Sequence, residues 1–382
     1  MIYLDNAATT KPLDSVCQTI NLMNSEFYGN TSSLHSFGFE SEKMVSKTRN
    51  ILADILAVKS ESIYFTSGGT ESNNIAILGY LKANAKRGKH VITTSIEHPS
   101  VSEVFKQLET QGYEVSLLNV DANGIIDYKQ LEELIRPDTV LISIMMVNNE
   151  TGAKQDFSKI SSLRNRKNPK AVIHSDCVQA FGKFNIKPES IGIDMLSASG
   201  HKIYGPKGIG FLYIKKGVRV LPIMYGGGHE KALRSGTLNS SAIAALYHAV
   251  LYAKENMNAN LEWVKGLKLL LWESLSSLKN AVHLGFSEFA SPYILNVSFE
   301  NVKSEVFLHH MAERGIYVSS GSACASNSKN KKHSHVLTAM GVNPKLIDGS
   351  VRFSFSTFNT REEIEEVAQV AIEIVQKIKY AE

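Results

Sequence analysis

The order of apolar and polar positions predicts a chain that switches repeatedly between strands and helices. Short apolar runs rich in β-branched residues predict seven strands, at residues 62–66, 90–94, 114–120, 139–147, 171–176, 194–197 and 210–214. Between most of them, apolar residues recur at helical spacing and predict helices at residues 71–85, 101–111, 128–135 and 157–166. Strands that alternate with helices predict an α/β fold with a mostly parallel sheet flanked by helices. Ligands of such sheets bind at the carboxyl ends of the strands.

The pattern changes in the last third of the chain. A long helical pattern over residues 243–278, which polar residues at 256–260 could break, precedes predicted strands at 293–299, 316–319 and 351–356. A helix at 304–314 and a terminal helix accompany them, and Thr360 and Glu363 have the spacing of a capping box at the start of the terminal helix. We therefore predict a large domain formed by residues 15–260. A smaller α+β domain would comprise residues 1–14 and 261–382.

Composition narrows the class of protein. The 382 residues are 43% hydrophobic and 20% charged, with a formal net charge of +4 that is not concentrated in a tail. Neither a nucleic acid nor a membrane surface is therefore expected as a main partner. The first residues lack the pattern of a signal peptide. Three distant cysteines, Cys17, Cys177 and Cys324, predict neither a disulfide framework nor a metal site, and indicate a reducing cytoplasmic location.

One loop between two predicted strands carries a lysine with distinctive neighbours. Small residues, Ser199 and Gly200, precede His201 and Lys202, and a Gly-Pro turn follows. This setting suits a lysine that is held rigidly at the mouth of a sheet, where its amine could form a Schiff base. Taken alone, the loop fits a simple turn with a solvated lysine better.

Polar clusters at other strand ends change that balance. Gly69 and Thr70 follow the first predicted strand and begin a helix, an arrangement that favours a phosphate. The stretch matches neither common nucleotide-binding pattern, so ATP and dinucleotides are not indicated. His98, Asn149 and Asp176 follow three further strands, and each taken separately fits a structural role as a core histidine, turn former or helix cap. Together with the lysine, these clusters supply the parts that a pyridoxal phosphate site needs.

Cys324 lies among small residues, in a run of Ser, Gly, Ala and Asn from 319 to 328. Such a run has little capacity to form a core, so we predict an accessible loop on which the thiolate could act as a nucleophile. Cys17 and Cys177 sit in apolar or strand-end contexts that are typical of structural cysteines. The basic run at 329–332 is interpreted as solvated loop, with help to the thiolate or docking of an acidic partner as alternatives.

Over nearly its whole length the chain resembles the cysteine desulfurases, pyridoxal-phosphate enzymes of the class V aminotransferase group with fold type I. The motifs that carry the resemblance lie at residues 3–10, 66–73, 97–98, 147–152, 199–208, 226–230, 234–237, 319–324 and 351–354. The Ser-Ser-Gly-Ser-Ala-Cys run is similar to that of the first desulfurase group, whose cysteine lies on a long flexible loop. The resemblance implies a homodimer that converts L-cysteine to L-alanine. Its sulfur would pass as a persulfide to an acceptor protein for iron–sulfur cluster assembly or tRNA thiolation.

The resemblance also implies a role for each residue of the site. Lys202 would bind pyridoxal 5'-phosphate as a Schiff base, and Cys324 would attack the sulfur of the substrate. His98 would stack on the cofactor ring and assist proton transfers, while Asp176 would pair with the ring nitrogen. The remaining implied contacts are Gln179 to the ring hydroxyl, Gly69, Thr70, Ser199 and His201 to the phosphate, Thr237 to the phosphate from a second subunit, and Asn149 with Arg352 to the substrate carboxylate.

Two alternatives remain open at this point. Another class V enzyme, such as a selenocysteine lyase or an aminotransferase of small amino acids, would share most of these motifs. An aminotransferase has no use for a nucleophilic thiol, so Cys324 argues against it. A catalytically idle homologue that serves as a sulfur-carrier scaffold is the other alternative. Arguing against that role is the joint presence of Lys202, His98, Asp176, Cys324 and Arg352.

Overall fold

The computed structural model describes residues 1–320 and 333–379. Its strands, numbered in chain order, are β1 (Ile2–Tyr3), β2 (Ile63–Thr66), β3 (His90–Thr94), β4 (Glu114–Leu118), β5 (Thr139–Ser143), β6 (Val172–Asp176), β7 (Met195–Ser199), β8 (Gly210–Ile214), β9 (Ala281–Leu284), β10 (Ile294–Phe299), β11 (Ile316–Tyr317) and β12 (Ser350–Ser354). Its α-helices are α1 (Asp14–Ser25), α2 (Ser36–Leu56), α3 (Gly69–Asn74), α4 (Tyr80–Ala83), α5 (Pro99–Thr110), α6 (Tyr128–Leu134), α7 (Phe157–Lys167), α8 (Pro188–Ile191), α9 (Ser240–Leu275), α10 (Ser304–Glu313), α11 (His335–Ala339), α12 (Pro344–Asp348) and α13 (Arg361–Lys379). A π-helical segment, Ile75–Gly79, joins α3 to α4.

The seven predicted strands of the main sheet are all present, in the order β2-β8-β7-β6-β5-β3-β4. Only β8 runs antiparallel to its neighbours, so the prediction of a mostly parallel sheet is confirmed. The carboxyl ends of β5, β6 and β7 therefore meet at one edge of the sheet. This edge is where a ligand of such a sheet binds.

Helices cover both faces of the sheet, which explains why its central strands are buried along their full length. Successive residues of a strand point to opposite faces. Leu196 of β7 packs into a core that includes Leu52 of α2, whereas its neighbour Met195 packs into a second core with Phe105 of α5. The two cores hold the strand ends rigidly between helical layers.

A second group of elements has its own core. The antiparallel sheet β12-β10-β9 and the parallel pair β1–β11 pack against α10, α13 and the end of α9. The predicted capping box is present, because Thr360 and Glu363 exchange hydrogen bonds of 3.2 Å. The possible break in the long helix is absent: α9 runs unbroken from Ser240 to Leu275. Its first half packs into the core with Leu196, and its second half packs into the core of this second group. The limits of the two predicted domains stay a prediction. In the part of the chain that the structure covers, no helix is long and apolar enough to cross a bilayer.

Candidate active site

A cavity of about 280 Å³ lies at the carboxyl ends of β6 and β7. It brings together residues from both ends of the chain, from Ala7 to Arg352. Ten of the twelve predicted site residues line it: Gly69, Thr70, His98, Asn149, Asp176, Gln179, Ser199, His201, Lys202 and Arg352.

The two other predicted residues are not part of this cavity. Thr237 precedes α9, and its side chain is exposed rather than turned toward the cavity of its own chain. Cys324 lies outside the described residues. The roles of both therefore rest on the resemblance.

Lys202 ends a short 3-10 turn, Gly200–Lys202, that directly follows β7. Its Nζ donates hydrogen bonds of 2.7 Å to the carbonyl oxygen of Ala7 and 2.6 Å to that of Ala8. The chain after β1 thus lies along the cavity, with its carbonyl groups turned to the lysine. The motif at residues 3–10 contributed to the family resemblance but had no predicted role in the site. The structure shows that two of its residues, Ala7 and Ala8, line the cavity.

Asp176 is the last residue of β6, and it is buried. Its Oδ1 accepts a hydrogen bond of 2.9 Å from the backbone N–H of Val178, and its Oδ2 accepts one of 2.8 Å from Asn73 Nδ2. The same Asn73 nitrogen lies 2.9 Å from Ser100 Oγ. Hydrogen bonds at both oxygens fix the direction of the carboxylate, which faces the cavity.

His98 caps the N-terminus of α5. Its Nδ1 accepts a hydrogen bond of 3.1 Å from the backbone N–H of Ser100 and lies 2.8 Å from Ser100 Oγ. Because a backbone N–H can only donate, Nδ1 carries no proton in the neutral ring, and the proton belongs on Nε2. Burial lowers the pKa of His98; the charge of Asp176 raises it and that of Lys202 lowers it again. The neutral imidazole is favoured.

An anion cradle lies beside these groups. The helix α3 begins at Gly69, directly after β2, and Gly69, Thr70 and Ser199 line both the main cavity and an adjoining one of about 400 Å³. A Cβ atom on Gly69 would lie 2.6 Å from Val178 Cγ2, so a side chain at this position would force its neighbours to move. A helix start and two hydroxyl groups suit a phosphate.

His201 also lines both cavities, and it lies close to several positive charges. Its Nδ1 lies 3.2 Å from Thr9 Oγ1. Burial, together with the positive charges of Lys202, Lys207 and Lys183, lowers the pKa of its ring to about 4. This end of the cavity is rich in positive charge, which favours an anionic ligand.

Arg352 of β12 is only 3% exposed. Its Nη2 lies 2.7 Å from Asp5 Oδ1, and its Nη1 donates a hydrogen bond of 2.9 Å to the carbonyl oxygen of Asn149. Its buried Nε has no hydrogen-bond partner among the described residues. The guanidinium is thus held by two of its nitrogens, while the N–H at Nε is available to a ligand.

The residues on either side of positions 321–332 are anchored next to the site. Ser319 exchanges backbone hydrogen bonds of 2.6 and 3.2 Å with Arg352. On the other side, Ser334 Oγ donates a hydrogen bond of 2.5 Å to Glu150 Oε2, and His335 Nε2 lies 2.9 Å from the carbonyl oxygen of Glu97. The described residues on both sides of the gap thus lie beside the site, next to Arg352 on one side and next to Glu97 and Glu150 on the other.

These groups fit pyridoxal phosphate. Lys202 offers an amine for the cofactor's aldehyde, and Asp176 offers a carboxylate for the ring nitrogen. The cradle at Gly69 and Thr70 offers an anion site, and the ring of His98 lines the cavity between these groups. No cluster of metal-binding side chains occurs in the part of the chain that the structure describes.

Sequence reasoning assigned no role to several residues that hold this site together. Asp5 and Asn73 lie within the motifs at residues 3–10 and 66–73, so their place in a motif could have indicated a role. Ser100 and Lys183 lie outside these motifs, and only the folded chain brings Ser100 to Asn73 and shows the contact of Lys183 with Gln179.

Comparison with known proteins places the chain in a family. A model of class-V aminotransferases matches residues 2–367. The chain is 42% identical over 381 residues to the cysteine desulfurase IscS of Escherichia coli O139:H28 (strain E24377A / ETEC), covering 98% of this chain and 92% of that protein. A solved NifS-like protein has a TM-score of 0.92 at 34% identity, covering 99% of each chain.

Two further solved structures agree. A NifS-like protein from Rickettsia africae ESF-5 has a TM-score of 0.87 at 31% identity, covering 98% of this chain and 99% of that one. SspA in complex with cysteine has a TM-score of 0.83 at 33% identity, covering 94% of this chain and 100% of that one. The fold is therefore that of fold type I pyridoxal-phosphate enzymes. The chain belongs to the class-V aminotransferase family and, within it, to the cysteine desulfurases.

Proposed function

We propose that this chain is a pyridoxal-phosphate-dependent cysteine desulfurase that takes the sulfur of L-cysteine onto Cys324 and releases L-alanine. The observation that carries the proposal is the convergence of Lys202, Asp176, His98 and Arg352 on one cavity in a chain of this family. When bound at Lys202, the cofactor supplies an electron sink for bonds at the substrate's α-carbon. The protein supplies the groups that bind, orient and exchange protons.

Lys202, Asp176, Gln179 and His98 surround the cofactor in this proposal. The Lys202 nitrogen would hold the cofactor by its aldehyde carbon. The Asp176 carboxylate, fixed by its two hydrogen bonds, would pair with the ring nitrogen and favour a proton there. Gln179 would contact the ring hydroxyl. His98 would cover the ring and exchange protons at Nε2, because its Nδ1 is occupied by Ser100.

The phosphate is held by the cradle of Gly69, Thr70, Ser199 and His201. Thr237 reaches the same phosphate from a second subunit, so the enzyme is a homodimer. Its exposed side chain in a single chain agrees with that role.

Arg352 and Asn149 bind the carboxylate of cysteine. The guanidinium already lies in the cavity, held by Asp5 and by the carbonyl of Asn149. A buried arginine with a donor in reserve suits a carboxylate, because ionic hydrogen bonds are strong where water is excluded. This contact sets the orientation of the substrate against the cofactor.

The sulfur step belongs to Cys324. Its thiolate attacks the substrate sulfur, so an S–S bond forms while the bond between that sulfur and the substrate's β-carbon breaks. The electron pair of the broken bond stays with the carbon skeleton, which takes up a proton and leaves as L-alanine. The persulfide then passes to an acceptor protein of iron–sulfur cluster assembly or of tRNA thiolation. A cytoplasmic location is part of the proposal.

The test uses the purified full chain with added pyridoxal phosphate. Wild type should show a visible absorbance band that Lys202→Ala loses. Cys324→Ser should keep the band and lose sulfide release from cysteine, whereas Cys17→Ser, which changes an exposed thiol on α1, should leave turnover unchanged. A colourless wild-type protein would contradict the enzyme proposal, and normal turnover by Cys324→Ser would contradict the nucleophile.

The same variants separate the alternatives. A selenocysteine lyase would release selenide from L-selenocysteine with Cys324→Ser as well as with wild type, and would leave cysteine unused. Mass spectrometry of the peptide that contains Cys324 should find the persulfide after incubation with cysteine. Transfer assays with an iron–sulfur scaffold and with a tRNA-thiolation enzyme then identify the acceptor.

A further inference from the structure

A second lysine lies behind the cavity and has no part in the roles proposed above. Lys183 belongs to the turn between β6 and α8, and it is only 7% exposed. Gly182, with a φ of 73°, turns the chain just before it. The Lys183 ammonium donates a hydrogen bond of 3.0 Å to Gln179 Oε1, and it lies 5.2 Å from the centre of the Tyr293 ring. A buried lysine is costly, so its retention needs an explanation.

The contact with Lys183 decides which way the Gln179 amide points. An ammonium group only donates, so the amide atom that it contacts must be the oxygen. The amide nitrogen is therefore turned the other way, where it donates a hydrogen bond of 2.9 Å to the carbonyl oxygen of Ala7. That carbonyl also accepts the 2.7 Å hydrogen bond from Lys202 Nζ. The donor group of Gln179 is thus held next to the Lys202 nitrogen.

The charges around Lys183 are mainly positive. The groups that face it from other elements are Lys202 and His201 after β7, Arg352 of β12 and the Tyr293 ring before β10. Burial, together with repulsion from Lys202 and Arg352, lowers the pKa of Lys183 to about 7. Such repulsion is mutual, so a proton on Lys183 disfavours a proton on Lys202.

We propose that Lys183 is a positioning residue of the cofactor site, which holds the Gln179 amide nitrogen toward the cavity and places a positive charge behind the Lys202 nitrogen. The inference rests on the proposed function, because its effect is exerted on the cofactor bound at Lys202. A lower proton affinity of that nitrogen makes its proton easier to give up when the substrate amine arrives.

The test is a pH titration of the visible absorbance band of wild type and Lys183→Met, both loaded with pyridoxal phosphate. Loss of the positive charge should raise the midpoint of the titration by about one pH unit. Lys183→Arg keeps a charge at every pH used, so its midpoint should stay at or below that of wild type. Unfolding of both cofactor-free variants measures any general loss of stability separately.

Lys268→Met is the matched control. Lys268 is a partly buried lysine whose pKa burial also lowers, to about 8, but it donates to the carbonyl oxygen of Ser291 and does not line the cavity. Its replacement should leave the midpoint unchanged. A shift as large as that of Lys183→Met would show that loss of any lysine with a lowered pKa suffices, and would overturn the inference.

Each remaining outcome decides between failure of the proposed function and failure of the inference about Lys183. If wild type forms no visible band, the proposed function fails. If wild type forms the band but Lys183→Met titrates like wild type or at lower pH, only the inference about Lys183 fails. If Lys183→Met does not fold or bind the cofactor, Lys183→Arg decides: a midpoint above that of wild type overturns the inference, and one at or below it supports it.

Discussion

Asn73 Nδ2 lies 2.8 Å from Asp176 Oδ2, so a side chain of α3 fixes a carboxylate at the end of β6. The same nitrogen lies 2.9 Å from Ser100 Oγ, which in turn lies 2.8 Å from His98 Nδ1. A continuous line of hydrogen bonds therefore joins the carboxylate proposed to face the cofactor's ring nitrogen with the imidazole proposed to cover the ring. The two groups are oriented as one unit.

Replacement of Asn73 by Ala should weaken both ends of this line. A hydrogen bond to a charged group contributes about 1.5–3 kcal/mol, so we expect the affinity for pyridoxal phosphate to fall about tenfold or more. Titration of the visible band measures it. Asn84→Ala is the control. Asn84 lies at the end of the helical run that begins with α3, and its amide donates hydrogen bonds to the carbonyl oxygens of Tyr80 and Arg219, away from the cavity. Equal affinities in all three proteins would show that Asn73 does not support Asp176.

Arg352→Lys should raise the KM for cysteine by about tenfold or more, while the visible band stays as in wild type. A lysine cannot bind Asp5, the Asn149 carbonyl and a carboxylate in the planar geometry of a guanidinium. Steady-state kinetics and absorbance give the two quantities. Arg136→Lys changes an exposed arginine that holds Glu114 with two hydrogen bonds, and it should leave KM unchanged. A kcat loss without a KM change would contradict substrate binding by Arg352.

Glu97 makes the stability of the protein depend on pH. Burial raises its pKa from 4.5 to about 8, so between these values the folded protein retains a proton that the unfolded chain has released. The contribution of Glu97 to the free energy of unfolding therefore falls as the pH rises from 4.5 to 8, by on the order of a few kcal/mol. Buried histidines such as His174 and His201, whose pKa burial lowers, contribute in the opposite direction, and they do so equally in wild type and Glu97→Gln. The change in the free energy of unfolding from pH 5 to pH 8, measured with urea, should therefore be more positive for Glu97→Gln than for wild type.

Glu150, whose pKa burial raises to about 7, should leave a residual slope in that variant, since it titrates in the same direction. An equal change from pH 5 to pH 8 in wild type and Glu97→Gln would show that the buried carboxyl of Glu97 does not contribute to the pH dependence.

Ser334→Ala should lower both stability and turnover. Its hydroxyl donates to Glu150 and accepts from the backbone N–H of Leu337 as the cap of α11, so its loss costs about 1–3 kcal/mol. Urea unfolding measures the first effect. Sulfide release should also slow, with the visible band intact, because Ser334 anchors the chain that leads to Cys324.

The matched control for this prediction is Ser46→Ala. Ser46 makes the same kind of bond, to Glu42, but at an exposed position of α2, so its loss should change stability little. Wild-type sulfide release by Ser334→Ala, alongside its loss of stability, would show that the anchor does not affect the sulfur step.

The prediction of secondary structure was right where the pattern of neighbouring residues decides the structure. The central strands of the main sheet are buried on both faces and carry short apolar runs, and Thr360 with Glu363 form a capping box from neighbouring residues alone. The strands β1 and β9 were not predicted. The break expected in α9 was wrong, since Asn256 bonds to the Tyr252 carbonyl within the helix.

The sequence by itself determined which side chains stand at the strand ends, and so it supplied Lys202, Asp176 and Asn149 as candidates. Only the tertiary structure decided which atoms hold them. Lys202 contacts Ala7 across 195 positions of sequence, and Arg352 contacts Asp5 across 347. Such pairs leave no periodic trace in the chain, because hydrogen-bond geometry depends on how sheet, helices and N-terminal segment pack together.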